Sequence, residues 1–354
     1  MLGNVEKIQT ILETSKKVFK ECSLKSGAIV ASNIHDPDYP KDVKNYYYVW
    51  PRDASFICVA CDLIGLKRIP EKFFEWCWNE AERFKEKGIF YMRYYPDGRM
   101  YGRQFQPDQL GSLLWAIEHH SKYHGIIKLN SLIEKTADGI CSSWIGSCFR
   151  RSFDIWEERV ASQRKNEKHT YSLAMCIKGL EVAMKLIGKK EQWLKSKEQM
   201  EKELKKSYEK KLGYFVRTFN GRRANETLDS SMLGLVWPSE FVQADDRRMI
   251  STVNTIIQKN SIDENGIIRY KGDKYIGKLK RGNAGAWPIL NFWLSIYFSN
   301  LGKRKKALKH FDWVIERVEK KLPEQIKDSK PFSIIPLAWS HAMFVISGRF
   351  LELF

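Results

Sequence analysis

"PRDASFICVACDLIGLKRIPEKFFEWCWNEAERFKEK", residues 51 to 87, reads as two helices with almost nothing between them. Apolar residues recur at i, i+3, i+4 and i+7 on both sides of "GLKRIP", so helices are expected over 51–65 and 69–87. So short a link requires antiparallel neighbours. Pro51 suits the first helical position, where the backbone N–H would be unpaired anyway, and Asp53 suits the positive end of the helix. The hairpin is entered through "YYYVWPRD", residues 46 to 53, an aromatic run ending in an adjacent cation and anion.

The same pattern repeats along the chain in both directions. Further helices are expected over 4–22, 109–124, 127–146, 169–187, 189–210, 228–236, 245–260, 285–301, 303–320 and 336–352, while period-two alternation is scarce. Links alternate between short, as in "GLKRIP", "YHGI" and "IGKK", and long. A repeated helix pair with every long loop at one end describes an all-α toroid of six helical hairpins, an (α/α)6 barrel. A single domain over residues 1–354 is expected.

The 354 residues carry a net charge of +18 and are 43% hydrophobic. The lysines are spread over several helical segments in which apolar residues keep their spacing, so they read as solvated faces rather than a nucleic-acid site. No apolar stretch is long enough for a bilayer span and no secretory leader is apparent, so a cytoplasmic protein is expected. Seven cysteines lack the spacing of a disulfide scaffold and read as free thiols. Cys58 and Cys61 make a CxxC inside an apolar helical run with no second pair nearby. His119 and His120 point in different directions on a helix, so neither a metal site nor a cofactor is expected.

The chemically suggestive clusters fall in the long loops or at the start of the helix that follows. They are "YYYVWPRD", "YGRQFQPD", "DIWEER", "RANETLDSS", "RYKGDKYIGKLKRGNAGAW" and "LPEQ", and all six would face one end of the barrel. That arrangement points to a cleft at its mouth. "DIWEER" supplies Glu157 and Glu158 after Trp156, and "LPEQ" supplies Glu324 from another loop. Glycoside hydrolysis needs two such carboxyl groups, one protonated to release the leaving oxygen and one ionised. Sugar rings also have apolar C–H faces and many hydroxyls, which suit aromatic platforms with charged groups at the rim. Tyr46, Trp50, Trp156 and Trp287 each lie in or beside a loop at that end.

The motifs "YYYVWPRDA", "QPD", "DIWEER", "LDSS", "GNAGAW", "LPEQ" and "PLAWSHAMF" occur in the order seen in glycoside hydrolase family fifteen, which contains glucoamylases, glucodextranases and some prokaryotic trehalases. The resemblance runs from "SGAIVAS", near residue 26, to the C-terminus. It implies an (α/α)6 barrel and an inverting hydrolase acting at a non-reducing glucose end. By that resemblance Glu157 is the general acid, Glu158 a substrate-binding carboxylate and Glu324 the general base. Arg52 and Asp53 resemble the pair that holds the hydroxyls of the terminal sugar, with Tyr46 and Trp50 beside them. Asp108, Arg269 and Trp287 match other cleft-lining positions. As consecutive residues, Arg52 and Asp53 are expected to be poorly placed to satisfy each other.

An inverting pair is expected to stand about 6.5–9.5 Å apart, leaving room for a water. The proton on Glu157 would be held by proximity to Glu158 or by burial beside Trp156. Prokaryotic relatives commonly carry a β-sandwich before the barrel, and neither that domain nor a starch-binding module is expected here. The implied partner is an α-glucan or gluco-oligosaccharide, short soluble oligosaccharides being favoured over granular starch, and the oligomeric state is left open. A trehalase or an α-1,6-glucosidase would use the same acid and base. A non-catalytic carbohydrate-binding toroid is the reading from another class.

Overall fold

The inner helices begin where an extended loop meets a residue suited to a first turn. Trp50 is extended, Pro51 opens the next helix and Asp53 lies in its first turn; Trp287 and Pro288 repeat the arrangement. The computed structural model describes residues 2–125, 129–220, 226–278 and 282–354. Among these are α1 (Leu2–Cys22), α2 (Pro51–Leu63), α3 (Arg68–Asn79), α4 (Phe84–Lys87), α5 (Asp108–His124), α6 (Asn130–Ser143), α7 (Thr170–Ile187), α8 (Glu191–Leu204), α9 (Arg247–Asn260), α10 (Pro288–Asn300), α11 (Arg304–Glu316) and α12 (Ala338–Phe350).

Helices α2, α5, α7, a 3-10 helix over Ser230–Leu235, α10 and α12 pack each against the next, and α12 closes onto α2. They form an inner ring whose residues are buried on nearly every side. Helices α3, α6, α8, α9 and α11 each pack beside the inner helix that precedes them, and α1 packs on α12. This is the expected (α/α)6 toroid. All six inner elements start at one end of the ring, where the long loops gather and are stitched by short antiparallel pairings such as Lys168–His169 with Thr218–Phe219 and the bridge from Val49 to Tyr94.

Several expected helices end differently, for tertiary reasons. The segment expected as one helix over 69–87 breaks after Asn79, because the Glu82 N–H donates to the Gly98 carbonyl and Arg83 adopts φ +66°. The 189–210 helix stops at Leu204, and Tyr208–Glu209 pairs instead with Tyr214–Phe215. The 228–236 segment is a 3-10 helix capped by the Asp229 carboxylate, which accepts from the Ser231 N–H. A Cβ on Gly234 in that helix would lie 2.4 Å from the Tyr171 ring, so only glycine allows this approach. Residues 127–128 of the expected 127–146 helix, and parts of "YHGI", "RANETLDSS" and "RYKGDKYIGKLKRGNAGAW", lie outside the described residues.

All seven cysteines are buried free thiols. Burial pushes the Cys58 and Cys61 thiols well above their ordinary range, which makes poor nucleophiles of them. No described helix is long and apolar enough to cross a membrane.

Candidate active site

The loop end of the ring holds a cavity of about 120 Å³ floored by the first turns of α2 and α12, with Arg52 and Asp53 from one and Trp339 from the other. Tyr46, Trp50, Trp156, Glu157, Arg269, Trp287 and Glu324 line its walls. A second cavity of about 650 Å³ shares Lys44, Trp156, Glu157 and Tyr275 with the first and adds Glu158 and Tyr270. The two form an inner chamber and a wider outer one, meeting at Glu157.

The loop Asp154–Arg159 owes its shape to Asp154. The Asp154 carboxylate accepts from the Glu158 and Arg159 N–H groups at 3.0 and 3.1 Å and from Arg217 Nε at 2.6 Å, while its carbonyl accepts from the Glu157 N–H. Arg217 also reaches Asp229 at 3.3 Å, and Asp229 in turn accepts from Trp156 Nε1 at 3.0 Å. The turn so fixed holds Glu157 at φ +63°, a left-handed backbone that costs about 1–2 kcal/mol for a residue with a Cβ. Its side chain projects into the chamber.

Glu157 accepts a hydrogen bond from Trp50 Nε1. Enclosure in the cavity wall pushes its pKa up to about 7, against the pull of Arg52, Arg93 and Trp50, with Asp53 adding a smaller push upward. Burial is thus the cause, as one of the two expected mechanisms had it. Glu158 is engaged elsewhere: it accepts from Arg269 at 2.6 Å and from Tyr270, and Arg217 lies 3.3 Å away.

Glu324 accepts from Tyr46 Oη at 2.6 Å and from Ser333. Burial raises its pKa, while these two donors, Arg269 and Lys44 oppose the rise. The Tyr46 and Trp50 rings stand between the two glutamates with centroids 5.3 Å apart. Arg269 is ion-paired with Asp273 and stacks within 5.2 Å of the Trp156 and Trp287 rings, so it ties Glu158 to the aromatic wall.

Two expectations need correction. Arg52 and Asp53 do pair, Nε to Oδ1 at 3.1 Å, because the guanidinium on its three-carbon stem swings round the first turn although the Cβ atoms diverge. Asp108 does not line the cavity. It is fully buried behind Arg52, 3.4 Å from that guanidinium and 3.1 Å from Ser172 Oγ, and so positions Arg52 from below. Lys44, Arg93, Tyr275, Trp339 and Ser333 were not singled out from the sequence. Tyr275 and Trp339 lie in the quoted stretches "RYKGDKYIGKLKRGNAGAW" and "PLAWSHAMF", and Arg93 stands among tyrosines in "YMRYY". Nothing local marks Lys44 or Ser333.

A toroid of paired helices whose loop end holds an aromatic chamber lined by the half-buried Glu157 and the buried Glu324 is the architecture of a glycosidase. The model for the family described as "Glycosyl hydrolases family 15" matches residues 7–316, and the chain belongs to that family. An uncharacterized glycosyl hydrolase from Methanocaldococcus jannaschii is 32% identical over 92% of this chain and 53% of the relative. A trehalase from Mycobacterium tuberculosis is 25% identical over 80% of this chain and 45% of the relative. The chain thus spans about half the length of these curated relatives. A solved glycosidase structure superposes with a TM-score of 0.81 at 21% identity, covering 99% of this chain and 98% of that one, which is a likeness of fold.

Proposed function

We propose that this glycosidase is an inverting, exo-acting α-glucoside hydrolase of the glucoamylase type. The observation that carries the proposal is the pair of glutamates lining one aromatic chamber, each held by its own aromatic donor. Burial pushes Glu157 up to about 7, so it holds a proton in mildly acidic solution; burial raises Glu324 as well, and donors from Tyr46 and Ser333 hold that rise back.

In the proposed step the terminal glucose occupies the inner chamber, its outer hydroxyls on Arg52 and Asp53 and its C–H face on Trp50. Glu157 gives its proton to the glycosidic oxygen as the C1–O bond breaks. A water held by Glu324 attacks C1 from the opposite face and loses a proton to that carboxylate, so glucose leaves as the β-anomer. Glu158, oriented by Arg269 and Tyr270, faces the next sugar in the outer chamber.

Trehalose hydrolysis is the second reading, favoured by the likeness to the mycobacterial trehalase. The wide outer chamber, about 650 Å³, argues for substrates with more than one unit beyond the scissile bond. Rates on maltotriose, isomaltose and trehalose decide between them. Maltotriose turned over fastest supports the glucoamylase type, and trehalose turned over alone overturns it.

A further inference from the structure

The opposite end of the ring, where α2 and α5 finish, carries a cluster that hydrolysis does not use. Asp62 lies in the last turn of α2 with its side chain fully buried, and three histidines from the last turns of α5 surround it. His120 Nδ1 is 2.6 Å from one carboxylate oxygen, His124 Nε2 is 3.2 Å from the same oxygen, and His119 Nδ1 is 3.3 Å from the other. His119 and His120, expected to point in different directions, both reach the same Asp62 carboxylate on the neighbouring helix.

The electrostatics of this corner favour a cation. Two helix C-termini converge there, each bearing partial negative charge, and a full carboxylate is buried beside them. The ring nitrogens of His120 and His124 and an Asp62 oxygen lie within 4.8 Å of one another.

We propose that Asp62, His120 and His124 bind a transition-metal cation of the zinc class, with water completing its coordination. Two imidazoles and one carboxylate are a donor set for Zn²⁺, Co²⁺ or Ni²⁺ rather than for Mg²⁺ or Ca²⁺. Bonds of about 2.0–2.2 Å in a tetrahedron set donor atoms roughly 3.3–3.6 Å apart. The Asp62–His124 separation of 3.2 Å already approaches this, and the His120 contact of 2.6 Å must open by about 1 Å or less. His119 and His124 remain about one-fifth exposed, and His119 also lines a 670 Å³ cavity with Trp115, Tyr123 and Trp237, which gives an ion its way in. The ion would tie the ends of α2 and α5 together. It would not enter the chemistry, since Arg52 and Asp62 are ten residues, about 15 Å, apart along one helix.

The test is titration of chelator-treated full-length protein with Co²⁺, followed by visible absorption, and with Zn²⁺, followed by thermal melting. One Co²⁺ per chain, visible bands of four-coordinate intensity, and a Tm raised by about 3–6 °C at Zn²⁺ 100-fold above Kd are expected. His124→Ala should weaken binding at least about 100-fold, whereas His35→Ala, remote from the cluster, should leave it unchanged. Should His120→Ala fail to fold, the partly exposed His124→Ala decides. No saturable binding, or binding equal in His124→Ala and the parent, would leave three histidines serving only as hydrogen-bond donors to Asp62 and overturn the proposal.

Discussion

Tyr46 and Trp50 stand with ring centroids 5.3 Å apart, and each binds a different carboxylate: the Tyr46 hydroxyl donates to Glu324 and the Trp50 indole to Glu157. One short aromatic stretch ahead of α2 therefore sets both glutamates and supplies the surface between them. Removing either carboxylate should stop turnover without closing the chamber. Glu157→Gln and Glu324→Gln should each lower kcat by roughly 10²–10⁴-fold while sugar affinity, followed by tryptophan fluorescence, changes only a few-fold. Full turnover in either variant would reassign that residue's role, and sugar binding with no turnover in the parent protein would leave only a binding toroid.

The pH profile follows from the two environments. Glu157 must be protonated to act, so with its pKa at about 7 activity is lost as pH rises through that value. Glu324 must be ionised, and because burial raises its pKa, activity is lost as pH falls through a point above the ordinary glutamate value. A bell in kcat/KM with its basic limb near pH 7 is expected.

The two aromatic donors should move opposite limbs of that bell. A donor to a carboxylate favours its ionised form, so Trp50→Phe should raise the Glu157 pKa and carry the basic limb to higher pH. Tyr46→Phe should raise the Glu324 pKa and carry the acidic limb upward instead, narrowing the active range. Movement of the same limb in both variants would contradict the paired assignment.

Stability should respond at the loop that presents the acid. Glu157→Gly should be more stable than Glu157→Ala by about 1 kcal/mol, because only glycine adopts φ +63° without strain. Asp154→Ala should cost about 3–5 kcal/mol, because it removes the closest of the three carboxylates paired with the buried Arg217 and the acceptor of the Glu158 and Arg159 N–H groups. Urea unfolding curves measure both.

The helical pairs were legible because their apolar spacing is local and strong, as in residues 51–87. The loop end was legible because chemically suggestive residues gather ahead of helix starts. What stayed hidden depends on contacts across the ring. Asp108 shares the end of α5 with the cavity, yet only packing shows that Arg52 lies between them. The helix breaks after Asn79 and Leu204 come from pairings with other segments, and Asp62 meets His120 only because α2 and α5 are neighbours. Ser333 reaches Glu324 across a hairpin whose turn residues carry no chemical signature.

The opposed roles of Glu157 and Glu324 have one direct signature in the product. Proton NMR of the first glucose released from maltotriose, recorded before mutarotation, should show the β-anomer in excess and the α-anomer growing in later. If the α-anomer appears first, attack on C1 does not come from a water held by Glu324 on the opposite face, and the inverting pair is refuted.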